Sequence, residues 1–153
     1  MHEKICSFCG HRDVFEHYVE DMVKIKIASA VEKGFTTFYS GGMGEFDAMC
    51  ERAVREVKKN NDNIKLCLIL PYMTSKISKN REYYNRMYDD IILPDFGNIH
   101  PRRAIPERNR WIVNHSDAIL AYVFRETGGA HATLEYAEKM NVQYVNVYRN
   151  GGF

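Results

Sequence analysis

The feature that most constrains this chain is a regular alternation: short, almost continuously apolar runs take turns with longer stretches of helical periodicity. Runs rich in β-branched and aromatic residues occupy 5–9, 35–39, 64–70, 118–124 and 144–148, with a weaker one at 90–93. A strand that is apolar at nearly every position, and not only at every second one, is covered on both faces. That is the environment of a parallel sheet held between two helical layers. Between the runs, Val19, Met22, Val23, Ile27, Ala30 and Val31 recur at helical steps, and Gly34 supplies a stop. A second stripe, Phe46, Met49, Cys50, Ala53, Val54 and Val57, turns Glu51, Arg52, Arg55, Lys58 and Lys59 outward and ends in Asn60-Asn61-Asp62-Asn63. Further helices are expected at 78–88, 107–115 and 133–140, with Pro106 opening the one at 107. Between 75 and 103 the pattern reads as a helix, a short strand and an irregular exposed loop carrying Pro94, Asp95, Gly97, Asn98 and Pro101. The whole predicts an α/β fold: a doubly wound, mainly parallel sheet with helices on both faces and right-handed crossovers.

The 153 residues suffice for one domain over 1–153, and no repeat or linker divides them. With 21 Lys+Arg against 20 Asp+Glu the net charge is +1, so no global field draws the chain to nucleic acid or an anionic membrane. On this ground neither is expected as a partner, and any anion must be held by a local site. No apolar run approaches the roughly 20 residues that span a bilayer, and Met1-His2-Glu3-Lys4-Ile5-Cys6 lacks the pattern of a signal peptide, which leads to the expectation of a cytoplasmic protein. Cys6, Cys9, Cys50 and Cys67 fall inside expected strands and helices, as suits a reducing compartment.

In a sheet of this kind ligands bind outside the carboxyl ends of the strands, where the strand order reverses. The strand ends are therefore the place to look for chemistry. They read Gly10-His11-Arg12, Ser40-Gly41-Gly42-Met43-Gly44, Pro71-Tyr72, and Arg125-Glu126-Thr127-Gly128-Gly129. Glycines let a phosphate approach the backbone, and the free amides of a helix amino terminus point at the anion. The segment around Gly41, Gly42 and Gly44 is either such a cradle or simply a tight strand-to-helix turn, and it lacks a P-loop lysine. Gly128 and Gly129 repeat the geometry, followed by Thr133 and Glu135 in the first turns of a helix. Glu135 either complements the helix dipole or faces a ligand. Arg12 and Arg108 are candidate phosphate cations, although a solvated arginine has the same sequence signature, and Tyr72 stands where it can stack a base. Cys6-x-x-Cys9 with His11 lacks the second pair that zinc needs, so no metal and no cofactor is expected.

Cys6-Ser7-Phe8-Cys9-Gly10-His11-Arg12, with Pro71-Tyr72 and Tyr83-Tyr84-Asn85-Arg86-Met87-Tyr88 further on, resembles the YpsA-like members of the SLOG superfamily. That group of Rossmann-like proteins also takes in the DprA core and the Lonely-guy (LOG) phosphoribohydrolases. The resemblance runs over nearly the whole chain. Cys9 stands where the YpsA-like opening has Thr. The segment from Glu107 to Ala118 is similar to the arginine helix of the LOG enzymes, which implies that Arg108 matches their catalytic arginine and Glu135 their catalytic glutamate. The LOG loop Pro-Gly-Gly-x-Gly-Thr-x-x-Glu is altered here: Thr127 replaces Pro, His131 the third Gly and Ala132 the Thr. His131 puts a bulky side chain where the family has close phosphate approach.

What the resemblance implies is binding of a nucleotide or nucleotide-derived signal, ADP-ribose-like or cyclic, by a sensor or a sequestering protein. Gly41, Gly42 and Gly44 would hold one phosphate, Gly128 and Gly129 another, with Gly10, His11, Ser40, Pro71 and Thr127 completing the strand-end rim. The alternative it implies is LOG-like hydrolysis of the N-glycosidic bond of a nucleoside 5′-monophosphate, which needs Arg108 and Glu135 in one pocket. A DprA-like role in binding nucleic acid is the weaker alternative, disfavoured by the net charge. A homodimer or higher homo-oligomer is implied as well.

Overall fold

The computed structural model describes residues 3–148; Met1 and His2 of the opening segment lie outside the described residues. Twelve elements follow in order: β1 (Ile5–Gly10), α1 (Tyr18–Glu32), β2 (Thr37–Ser40), α2 (Glu45–Lys58), β3 (Lys65–Ile69), α3 (Ser75–Lys79), α4 (Arg81–Met87), β4 (Asp90–Ile92), α5 (Pro101–Asn114), β5 (Ala118–Tyr122), α6 (Gly129–Lys139) and β6 (Gln143–Asn146). The strands form one sheet in the order β4-β3-β2-β1-β5-β6, with every pairing parallel. From β1 the chain builds outward through β2, β3 and β4, then returns to the other side of β1 for β5 and β6. The loops leaving β1 and β5 therefore part, and a crevice opens above their carboxyl ends.

The alternation of side chains along each strand explains the continuous apolar runs. Cys6, Phe8, Phe38, Leu66, Leu120 and Tyr122 pack on one face with Val19, Val23 and Ile27 of α1 and Phe46, Cys50 and Val54 of α2. Cys9, Ile119, Ala121 and Val123 pack on the other with Val113 of α5 and Leu134 and Ala137 of α6. β1 and β5 thus feed two cores. Cys6 and Cys9, three residues apart on β1, point to opposite faces and cannot share a metal, and burial pushes both thiols up to about 12. Among the described residues no helix is long and apolar enough to cross a membrane.

Three element boundaries differ from expectation, and each has a local cause. The helix expected at 78–88 is two short helices broken at Asn80, and Thr74 caps the first by accepting the Ile77 amide at 3.3 Å. The helix expected from 107 starts at Pro101, where the imidazole Nδ1 of His100 caps it by accepting the Arg102 amide at 3.1 Å. Pro106 therefore lies inside α5 and does not open it. It removes the amide that would bond the Arg102 carbonyl, and both Pro106 and Arg102 are exposed residues within reach of water. The last helix begins at Gly129 and not at 133, and this brings both glycines of the second loop to its amino end.

Candidate functional site: a cationic cleft where the strand order reverses

A cavity of about 400 Å³ occupies the crevice above β1 and β5. Its walls come from the β1–α1 loop (Gly10, His11, Arg12, Asp13), the β2–α2 loop (Gly41, Met43), α5 (Arg108, Asn109) and the β5–α6 turn (Arg125, Thr127, Gly128, Gly129, with Thr133 one turn on). Each of these segments is placed by one end of the sheet. Gly10 closes β1 because Phe46 packs against it: a Cβ there would lie 2.3 Å from the ring. His11 continues the ladder, its amide donating to the Tyr122 carbonyl at 3.3 Å. Its buried ring accepts the Phe124 and Arg125 amides at Nε2, at 3.0 and 3.3 Å, which requires the proton on Nδ1 and a neutral ring. Burial, reinforced by the Arg125 charge, lowers the His11 pKa accordingly. His11 is thus the clamp that fixes the start of the β5–α6 turn, and with it Arg125.

The two glycine loops play different parts. In the first, the Gly42 amide donates to Ser40 Oγ at 3.0 Å, the Met43 amide to Asp47 Oδ2 at 3.0 Å and the Glu45 amide to the Arg12 carbonyl at 2.7 Å. Those donors are occupied within the protein, so this loop forms a partition. The second loop is open. Gly128, at φ 96, is the N-cap of the 11-residue α6, and no side chain caps that helix end. A Cβ built on Gly129 would meet nothing within 4 Å, and neither backbone angle nor packing demands a glycine there. The amino terminus of α6 therefore presents its dipole and amides to the cleft.

Arg12 and Arg125 are exposed at the mouth, and among the described residues neither forms an ion pair; the Arg125 guanidinium lies over the Phe124 ring at 5.2 Å. Arg108 is different. It is 2% exposed, and its Nη1 donates to the carbonyls of Gly41 and Ile69, both at 3.0 Å, its Nη2 to Met43 Sδ at 3.0 Å and its Nε to Asn109 Oδ1 at 2.9 Å. It braces the ends of β2 and β3 from α5. Burial lowers its pKa, against the opposing pull of the Asp47 carboxylate.

Asp47 is buried beside this guanidinium and lines the cleft. Desolvation raises its pKa to about 7, with Glu51 adding to the rise while the Met43 amide and Arg108 oppose it. Because the folded value lies above the roughly 3.9 of an unfolded aspartate, the folded protein binds the extra proton between them. The stability this proton brings is complete below about pH 4 and is lost as pH rises through 7. Asp47→Asn keeps an acceptor for the Met43 amide and does not titrate. Its stability relative to wild type is expected to climb across that window by up to about 1.4 kcal/mol per pH unit. Urea denaturation of both proteins at several pH values checks this, and a pH-independent difference would refute it.

The cleft gathers Gly10, His11, Arg12, Gly41, Arg108, Thr127, Gly128, Gly129 and Thr133 of the sequence-derived candidates. Gly42, Gly44, Pro71 and Tyr72 line a second cavity beyond the partition. Ser40 is wholly buried, its hydroxyl donating to Glu51 Oε2 at 2.6 Å. Glu135 lies in neither cavity; it is exposed and 3.4 Å from His131. Arg108 and Glu135 are therefore not brought together. Asp13, Asp47, Asn109 and Arg125 are polar residues of the cleft that were not among the sequence-derived candidates. Arg125 stands just beyond β5 much as Arg12 stands just beyond β1, and that symmetry was a usable signal.

No family model matches this sequence, and no curated protein matches it. The fold does match solved structures. DNA processing protein A (DprA) from Streptococcus pneumoniae superposes with a TM-score of 0.69 at 13% identity, covering 97% of this chain and 52% of that one. DprA from Helicobacter pylori, solved for its single-stranded DNA binding mode, gives 0.68 at 15% identity, covering 97% of this chain and 66% of that one. TM1055 gives 0.65 at 14% identity, covering 97% of this chain and 76% of that one. This chain thus spans about half to two thirds of the length of the two DprA proteins, and at these identities the likeness is one of fold. It nonetheless corrects the expectation that nucleic acid is no partner class, because proteins of this very fold include a single-stranded DNA binder. A net charge of +1 is a sum over the chain, and it hid a cleft that collects Arg12, Arg108 and Arg125 in one place. The described residues form a six-stranded, all-parallel Rossmann-like α/β structure, similar in fold to the DprA proteins and TM1055.

Proposed function

We propose that the switch-point cleft binds the phosphate of a nucleotide or nucleotide-derived ligand, as a sensor or a sequestering protein does. One observation carries this reading: the uncapped amino terminus of α6 opens, through an unobstructed Gly129, into a cleft flanked by the exposed Arg12 and Arg125. Asp13 and Asp47 also line the cleft, so its charge balance is three arginines against two carboxylates, and burial raises the pKa of Asp47 to about 7. Hydrolysis of a nucleoside monophosphate has less support, since Glu135 lies outside the cleft that Arg108 lines.

Calorimetry with AMP and ADP-ribose on wild type and Gly129→Ala tests the reading. The added methyl meets no protein atom, and the backbone there is ordinary. The variant is therefore expected to fold as well as wild type, or to gain about 0.4–1 kcal/mol from a less flexible unfolded chain. The same methyl occupies the space over the helix amides, and affinity is expected to fall at least tenfold. No binding heat from either ligand, or equal affinity in the two proteins, would refute the reading. Chromatography of the same mixtures for free base separates binding from cleavage.

A further inference from the structure

The cleft continues past the glycine partition. On its far side a second cavity of about 760 Å³ opens against Leu68 and Leu70 and the α3–α4 pair, and Gly41 and Met43 line both spaces. The two differ in chemistry. The first has the arginines and the open helix end, but the aromatic rings on its lining, Phe8 and His11, are buried core groups. The second holds four tyrosines, Tyr72, Tyr83, Tyr84 and Tyr88, and its one cation is the exposed Lys76.

Tyr72 and Tyr83 are 45% and 50% exposed, so packing does not account for their presence. The other rings are held in place behind them. Tyr83 meets Tyr84 edge to face at 5.3 Å, and Tyr84 stacks on Tyr88 at 6.3 Å and 10°. The Tyr88 hydroxyl donates to the buried Glu51 carboxylate at 2.7 Å, and that carboxylate also accepts from Ser40 Oγ and Arg55. This floor is polar, satisfied and rigid beneath flat apolar faces, an arrangement that suits an aromatic ring inserted from solvent.

We infer that the tyrosine cavity receives a nucleobase of the ligand whose phosphate sits in the first cleft, so that the ligand crosses the partition and carries two linked nucleotide units. The inference rests on the phosphate reading proposed above. Each cavity alone falls within the roughly 300–1,000 Å³ that encloses one small ligand, so a molecule that fills both is larger than a mononucleotide. Stacking on tyrosine is tolerant of base identity because every base has a π face. The site therefore selects for length and phosphate more than for sequence.

The experiment compares AMP, the 5′-phosphorylated dinucleotide pApA and a short oligothymidylate on wild type, Tyr72→Leu, Tyr83→Leu and Gly129→Ala, with thermal melts to verify folding. Wild type is expected to bind pApA about tenfold more tightly than AMP, and each tyrosine variant to lose about tenfold for pApA while binding AMP within twofold of wild type. Both tyrosines are exposed, which keeps their replacement out of the core. Gly129→Ala weakens all three ligands. An oligothymidylate that binds more tightly than pApA supports the proposal with a strand as the ligand, and one that does not supports it with a free dinucleotide, provided the tyrosine losses hold. If AMP binds but pApA binds no better, or the tyrosine variants bind pApA as wild type does, the inference is overturned and the phosphate reading survives. If no phosphate ligand binds wild type, both fall.

Discussion

Arg108→Met is expected to cost about 3–5 kcal/mol of folding stability, the range for removing one partner from a buried charged network. Methionine restores much of the volume but none of the donors. The carbonyls of Gly41 and Ile69, each held at 3.0 Å, lose the group that ties α5 to the ends of β2 and β3, and Asp47 loses its neighbouring cation. Asp47 escapes part of that penalty by taking up a proton; the carbonyls have no such escape. Arg108→Lys is expected to recover only part of the loss, because a point ammonium on a flexible stem does not reproduce the planar fork. Urea denaturation decides the matter, and a loss below about 1 kcal/mol for Arg108→Met would show that the brace carries little. The result also bears on function. An Arg108 variant that fails to bind a nucleotide reports first on the partition it holds up, so its inactivity would not make Arg108 a residue that touches the ligand.

The strands were legible because parallel strands between two helical layers leave an unbroken apolar trace, and all six appear where that trace lies. The α5 start was not. Two prolines in six residues read as a loop followed by a helix start, whereas His100 caps the helix at Pro101 and Pro106 sits on an exposed flank that tolerates a missing amide bond. The glycine loops were legible as strand-to-helix turns, but their division of labour was not. Whether a loop amide is free depends on partners brought from elsewhere, here the Arg12 carbonyl to Glu45 and the side chain of Asp47 to Met43. Asp47 looks in sequence like any acidic residue in a helix's first turn. Its raised pKa comes from burial, which belongs to the fold. The same holds for the cleft's charge, which no chain-wide sum of lysines and carboxylates could reveal.

Gly44→Ala is expected to cost about 3 kcal/mol or more, from the strain of a left-handed backbone together with overpacking. Gly44 sits at φ 107, and a Cβ there would stand 2.7 Å from the Arg12 Cα. That atom is backbone, and it is pinned: the Glu45 amide donates to the Arg12 carbonyl at 2.7 Å and the Val14 amide to the Glu45 carboxylate at 3.0 Å. No flexible side chain is available to yield. Gly97→Ala separates the two contributions, since Gly97 has φ 70 but open space around it and should lose only the strain of about 1–3 kcal/mol. The expected order of stability is Gly44→Ala lowest, Gly97→Ala next and Gly129→Ala at or above wild type. A Gly44 variant no less stable than the Gly97 variant would show that the Arg12 segment moves freely. If the order holds, relief in the folded Gly44 variant can come only from displacing Arg12, so the protein that still folds should bind nucleotide phosphate more weakly even though the substituted residue lies on the far side of the partition.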